Sequence, residues 1–448
     1  MKYWADVDLT KIPDIKVVPP GPKSIEYHER ASKYMKGFSS QVQLFPVVFE
    51  KGHGYTLQDV DGNTYIDFSS GIYVASLGHC HPKVSEAVAK YARVLMNCHD
   101  FTTPVKAKLL EKLVSILPGG LTGIQLYDSG TTAVEAGLRA MRAATGKFEF
   151  ISFHRDFHGK TMGAVSLAIV DRTQGMRAPG FFLVPRGYCY RCAFKLKYPE
   201  CNLHCVDYIE TVINNETTGQ VAGIVLEPIQ GWAGSIVPPD GWIQKIRNLC
   251  DRRGILLMAD EVLTCMARTG KMFAMEHWDT VPDVITLGKS FGNGFPVTAM
   301  CLSEKYKECL EKISASTSYG GNPMACAAAL ASIEIIEEEN LCQHSAELGR
   351  YILDLLEKMK ESHPIIGDVR GKGCLLGIEL VKDRNTKEPF IEAGKMVYRE
   401  AFKRGLSWVP ANHILRLSPP IIMSKEAAAK GIEIIEEAIS VTERSLGV

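Results

Sequence analysis

The chain has 448 residues, with 51 acidic and 51 basic side chains and so no formal net charge, a balance that excludes the broad basic excess by which nucleic-acid binders and anionic-membrane binders work. The length exceeds what one hydrophobic core fills, so at least two packed units are expected. The opening MKYWADVDLTKIPD mixes charges where a leader would be apolar, no apolar run reaches the roughly 20 residues of a membrane span, and 13 scattered cysteines read as reduced thiols, so the expectation is a cytoplasmic protein with small-molecule partners.

Residues 1 to about 45 carry Pro, Lys and aromatics without periodicity, and read as an arm that packs on the body or on a partner subunit. GYTLQDVDGNTYIDF reads as a hairpin turning at Asp61-Gly62, between two runs of alternating β-branched or aromatic residues. From about 85 to 330, short apolar strands (GIQLYDSG, FEFISFH, VAGIVLEPI, GILLMADEV, VITLGKS) alternate with helical stretches, the pattern of a mostly parallel sheet covered by helices on both faces. In AVEAGLRAMRAATG, for example, Val134, Leu138 and Met141 recur on one helical face and Gly146 stands where the helix would stop. Beyond about 340 come a long helix, the strand GCLLGIELV, a second helix, a strand pair within LSWVPANHILRLSPP and a last helix, which imply a separate α+β unit. The expected division is 1–80 as arm and part of a small domain, 81–340 as a large α/β domain and 341–448 as a small α+β domain.

Five elements could carry chemistry. In DSGTTAVEAG, Ser129, Gly130, Thr131 and Thr132 lie between a strand and a helix start, where unpaired N–H groups and hydroxyls suit a phosphate dianion; ordinary Ser/Thr capping is the plainer reading. MADEV ends an apolar strand in Asp260 and Glu261, and a carboxylate so placed needs a cation, such as a protonated pyridine nitrogen, or an arginine or metal. VITLGKSFGNG puts Lys289 at another strand end among apolar and small residues, where desolvation eases loss of its proton and prepares a Schiff-base nucleophile, although most lysines are solvated surface groups. DFHGKT supplies Phe157 and His158, a ring able to stack on a planar cofactor or simply to pack in the core. In LRLSPP, Arg416 alternates inward on a strand, suited to bidentate capture of a carboxylate or to a buried ion pair.

Two patterns resemble metal sites. Cys189-x2-Cys192-x8-Cys201-x3-Cys205 has spacings that zinc tolerates, but it reads as a loop insertion whose thiols could equally be idle. His79-Cys80-His81 is too contiguous for its side chains to converge on one ion, and no metal is assigned there.

Taken together, the order and spacing of LGHCHPKV, SGTTAVEA, FHGKT, EPIQG, ADEV, RTGKMFA, GKSFGNG, YGGNP and LRLSPP resemble the class III aminotransferases, from about Tyr55 to Pro420. The resemblance implies a pyridoxal 5′-phosphate enzyme of fold type I. It implies Lys289 as the Schiff-base lysine, Asp260 at the pyridine nitrogen with Val262 beside it, and Ser129, Gly130 and Thr131 at the phosphate. Phe157 and His158 would lie against the ring with Glu227 of EPIQG nearby, Arg416 would take the substrate carboxylate, and Ile72 and Trp232 would complete the substrate wall. Ser318, with Thr317 next to it, would reach the phosphate of a neighbouring subunit, implying a homodimer with shared sites, alone or within a tetramer.

Three departures bear on the substrate and on the electronics of the ring. Leu263 and Cys265 replace residues of the DEVQTG pattern, Thr132 stands where many relatives carry glutamate, and Trp232 stands where the ornithine enzyme masks its arginine with glutamate, so a substrate with an apolar or aromatic portion is expected. The implied activity is amino transfer between an amino acid or amine and a 2-oxo acid. Racemisation, epimerisation or elimination of an amine would use the same residues. A non-catalytic binding protein is disfavoured by the intact Lys289 and Asp260 and by the lack of a basic helical module.

Overall fold

The computed structural model describes residues 3–168, 177–409 and 412–448. The chain divides into two compact units, one formed by Met1–Pro82 with Gln343–Val448 and the other by Lys83–Cys342.

The Lys83–Cys342 unit is built on a seven-stranded sheet. Its order is Leu121–Tyr127, Thr298–Ser303, Val284–Leu287, Leu256–Glu261, Val221–Leu226, Glu149–Phe153 and Phe181–Val184. Only Thr298–Ser303 runs antiparallel to its neighbours, and the other pairings are parallel. The central strands Val221–Leu226, Leu256–Glu261 and Val284–Leu287 are buried along their whole length, as expected of strands covered on both faces. The helix Gly130–Thr145 packs Val134, Leu138 and Met141 into the core with Met258, Val284 and Met300, and it ends at Gly146, whose φ of 70° is the left-handed cap that glycine adopts without a steric cost.

All five strands read from the sequence are present in this sheet. Two others, Phe181–Val184 and Thr298–Ser303, were not foreseen. Thr298–Ser303 gains its second edge from Leu121–Tyr127, a partner more than 170 residues away that local pattern does not reveal.

The other unit carries two sheets. In one, the hairpin strands Thr56–Asp59 and Thr64–Asp67 pair antiparallel, with Phe49–His53 on one side. The arm packs on this hairpin: the Asp61 carboxylate accepts from the backbone N–H of Lys23 and Ser24, both at 2.9 Å, and so caps the helix Pro22–Ser32. That helix was not foreseen, because it has no clean apolar stripe; its start is set by Pro22 and by an acceptor 38 residues away. The second sheet is antiparallel, in the order Ile366–Lys372, Leu375–Leu380, Ile414–Leu417.

The expected strand pair within LSWVPANHILRLSPP is corrected. Leu406–Ser407 pairs parallel with Thr64–Asp67 in the first sheet, whereas Ile414–Leu417 pairs with Leu375–Leu380 in the second. Adjacent apolar runs need not pair when each finds a longer-range edge. Pro410 and Ala411, between them, lie outside the described residues.

Candidate active site

In an open, mostly parallel sheet, loops leaving the carboxyl ends of the strands converge on one edge, and chemistry collects there. Five of these ends carry the residues singled out above: Ser129 follows Leu121–Tyr127, Phe157 and His158 follow Glu149–Phe153, Glu227 follows Val221–Leu226, Asp260 closes Leu256–Glu261, and Lys289 follows Val284–Leu287. The strands bearing Asp260 and Lys289 are immediate parallel neighbours, with Asp260 in register with Thr286.

Asp260 is 4% exposed, and its carboxylate is held by donors on both oxygens. Oδ1 accepts from the Val262 N–H at 3.1 Å and from the Thr286 hydroxyl at 2.8 Å, while Oδ2 lies 2.7 Å from His158 Nδ1. A carboxylate has roughly four acceptor sites. Three are used, leaving capacity for one more N–H, so the site fits a protonated pyridine ring.

His158 is buried, and its other nitrogen, Nε2, faces Asp156 Oδ2 at 3.3 Å and the Ser152 hydroxyl at 3.3 Å. Burial disfavours its charge, but the hydrogen bonds and charges of Asp156 and Asp260 prevail and push its pKa up to about 10.

Glu227 is 3% exposed and accepts the N–H groups of Phe157 at 2.7 Å and Gly231 at 2.9 Å, fixing the aromatic-bearing loop. Burial, reinforced by the charge of Asp156, pushes its carboxyl up to about 7. The Phe157 and Trp232 rings lie 5.6 Å apart at 34°, so two aromatics from separate loops form one wall. Glu261 points elsewhere: it caps the backbone N–H groups of Ala274 and Met275 at 2.6 and 2.9 Å, a structural role.

Ser129 does not cap the helix Gly130–Thr145 with its side chain; its hydroxyl pairs with that of Thr132 at 2.9 Å. The first N–H groups of a helix have no acceptor within it and suit an anion. Val262 packs between this turn and the lysine strand, since a β-carbon at Gly130 would lie 3.0 Å, and one at Gly288 3.1 Å, from its Cγ1. Thr298 joins the same cluster by donating to the Ser129 carbonyl at 3.0 Å. Lys289 is half-buried and has a φ of 47°, a left-handed conformation uncommon outside glycine that is enriched at functional sites. The helix terminus, the acid with a spare acceptor and the strand-end lysine together fit pyridoxal phosphate.

The remaining candidates are carried by other segments of the chain. Ser318 and Thr317 lie on the loop before Pro323–Glu338, where the Ser318 carbonyl accepts from Asn97 Nδ2 at 2.9 Å. Arg416 and Ile72 belong to the other unit, where Arg416 is 1% exposed and its Nε donates to the Val409 carbonyl at 3.2 Å. Ile72 is exposed and has a φ of 66°, within a left-handed turn over Ser70–Tyr73. The two belong to linked segments: the Ser70 hydroxyl donates to the Ser418 carbonyl at 2.6 Å, and the Ser418 hydroxyl to that of Ser69 at 3.0 Å.

Cys189, Cys192, Cys201 and Cys205 line one cavity of about 20 Å³ beside Arg186. Among the described residues, no three His, Cys, Asp or Glu side chains stand in an arrangement that could hold a metal ion. His79 of the GHCHP turn instead pairs with Asp67 at 2.6 Å.

Sequence reasoning missed Asp156, Arg186 and Thr286. Arg186 follows the apolar strand Phe181–Val184 just as Asp260 closes its own, so the rule that singled out one applies equally to the other.

The family model Aminotransferase class-III matches residues 38–439. An alanine/serine racemase of Pyrococcus horikoshii is 36% identical over 98% of this chain and 95% of its own length. An acetylornithine aminotransferase of Methanopyrus kandleri is 34% identical over 88% of this chain and 95% of its own. Among solved structures, an amine transaminase from an uncultivated Pseudomonas species in the PLP-bound form superposes with a TM-score of 0.85 at 27% identity, covering 91% of this chain and 98% of that one. With a match of that extent and relatives aligned along nearly their whole length, the chain belongs to the class III aminotransferases, pyridoxal-phosphate-dependent enzymes of fold type I.

Proposed function

We propose that the chain transfers an amino group between an amino acid or amine carrying an apolar portion and a 2-oxo acid, with Lys289 as the residue that moves the proton. The observation that carries this reading is the pairing of two parallel strands whose carboxyl ends bear Asp260 and Lys289. When bound, pyridoxal phosphate supplies an electron sink that makes the hydrogen on the amine-bearing carbon acidic. Lys289 Nζ takes that proton and delivers it onward as general base and then general acid. Asp260, its carboxylate oriented by three donors, pairs with the ring nitrogen. Ser129, Gly130 and Thr131 hold the phosphate at the helix terminus, Phe157 covers the ring, and Trp232 sets an apolar wall. Arg416 orients the substrate carboxylate, with Ile72 as a further substrate contact.

We assign Ser318 and Thr317 to the cofactor phosphate of a second copy, in a homodimer. In support, Phe101 and Tyr319, 78% and 63% exposed, flank the loops tied by Asn97 and Ser318, an apolar surface suited to burial against a partner. We assign the chain to the cytoplasm, on its 13 free thiols. Among the described residues no helix is long and apolar enough to cross a membrane.

The racemase reading has its own support in relatives described as alanine/serine racemase and, from Thermococcus litoralis, leucine/methionine racemase, each 36% identical. Holoenzyme incubated with one enantiopure amino acid and no oxo acid separates the two: pyridoxamine phosphate accumulates under amino transfer, whereas optical purity is lost without it under racemisation. Lys289→Ala should abolish turnover on either reading, and full activity in that variant contradicts both.

A further inference from the structure

Beneath the ring-facing acid lies a row of buried side chains that alternate in sign and that no step above uses. His158 is clasped between two carboxylates: Asp260 Oδ2 is 2.7 Å from Nδ1 and Asp156 Oδ2 is 3.3 Å from Nε2, with Ser152 Oγ also 3.3 Å from Nε2. A neutral imidazole has one N–H and one lone pair. With a carboxylate at each nitrogen, a neutral ring would leave one lone pair facing an anion.

Asp156 is itself fully buried and fixed from three sides. Its Oδ1 accepts from Gln230 Nε2 at 2.5 Å and faces Arg186 Nη1 at 3.6 Å, and its Oδ2 accepts from the Glu227 N–H at 3.3 Å. Arg186 is anchored in turn, donating to the Pro228 carbonyl at 2.8 Å with its guanidinium over the Trp242 ring at 4.7 Å. An unpaired charge at any point in this row would be costly, so each member stabilises the ionised form of the next.

We propose that Asp156, oriented by Arg186 and Gln230, is a positioning residue that keeps His158 doubly protonated, and through it holds the Asp260 carboxylate ionised and aimed at the cofactor nitrogen. This rests on the pyridoxal-phosphate reading given above. The groups facing His158 are Asp156, Asp260 and Ser152, with Glu227 and Arg186 behind Asp156; the carboxylates outweigh the one distant cation, consistent with the rise in the histidine's pKa.

The test uses enzyme labelled with ¹⁵N-histidine, with and without added pyridoxal phosphate. In the unmodified enzyme both His158 ring nitrogens stay protonated from pH 6 to pH 9; a His158 that titrates near an ordinary histidine's pKa overturns the proposal whether or not any variant folds. In Asp156→Asn, which keeps the side-chain shape, the His158 midpoint falls by at least about one unit, or tenfold in proton affinity. In the same variant kcat falls while KM for the amine is held, and the pH midpoint of the bound cofactor's absorbance shifts. A folded Asp156→Asn enzyme with unchanged His158 signals or unchanged kcat also overturns it. Failure of the parent reading looks different: no visible absorbance develops on adding the cofactor, while the His158 signals remain as described.

Discussion

Substituting alanine for Gly130 tests whether the turn beneath the phosphate site and the strand beside Lys289 are one packed object. A β-carbon at Gly130 would lie 3.0 Å from Val262 Cγ1 and 3.4 Å from Cγ2, where carbons rest at about 3.5–4.0 Å. Val262 does not withdraw freely, since its χ1 is stiff. Overpacking of this kind costs about 1–3 kcal/mol. Alanine in the first helical turn returns up to about 1 kcal/mol through propensity, so the net loss of global stability should not exceed about 2 kcal/mol. Cofactor affinity has no such offset, because relief of the clash displaces the N–H groups that we assign to the phosphate. A loss of about 1–2 kcal/mol there raises Kd by roughly 5- to 30-fold.

Val262→Ala removes the obstacle. In the double variant, then, cofactor affinity should recover by about 1 kcal/mol or more relative to additivity. The assay is absorbance titration of the four apoproteins with pyridoxal phosphate, with urea unfolding in parallel. Wild-type affinity in Gly130→Ala, or additive effects in the double variant, would refute the packing argument.

Other outcomes follow from the same geometry. Trp232→Ala should lower kcat/KM for amino donors bearing an aromatic or long apolar group by about 10- to 100-fold while sparing alanine, since one lost apolar wall is worth about 1–3 kcal/mol; a uniform loss across donors would place Trp232 outside the substrate wall. His158, raised to about 10 in the folded chain, gives stability that is complete below the unfolded-state value near 6.5 and is lost as pH rises through 10. Glu227 and Glu261, both raised to about 7 by burial, contribute stability that is present in acid and lost as pH climbs from the ordinary glutamate range through 7. Urea unfolding of the apoprotein should therefore give a free energy that declines from pH 5 to 10, and His158→Asn should flatten the part above pH 7; an undiminished slope in that variant would assign the loss to other groups.

Much of the architecture was written in local pattern. The five short apolar strands, the helix stopped by Gly146 and the Asp61-Gly62 hairpin each announce themselves within a dozen residues, because burial on both faces, a left-handed cap and a tight turn demand particular residue types in place. For the same reason Asp260 and Lys289 were legible: a charged residue at the end of an apolar strand contradicts its surroundings and calls for a partner. Pattern could not say which strands lie side by side. The pairing that puts Thr286 beside Asp260, the antiparallel Thr298–Ser303 and the separation of Leu406–Ser407 from Ile414–Leu417 are all decided by contacts distant in sequence. Asp156 and Arg186 are a case in kind. Asp156 is an unremarkable charged residue in the sequence and Arg186 is marked only by its strand end; the fold, by removing water and bringing both to His158, turns them into a buried row of alternating charge. Sequence determined which residue types would stand at the strand ends; tertiary structure decided which would be neighbours, because the energy of a buried charge depends on what surrounds it and not on what precedes it in the chain.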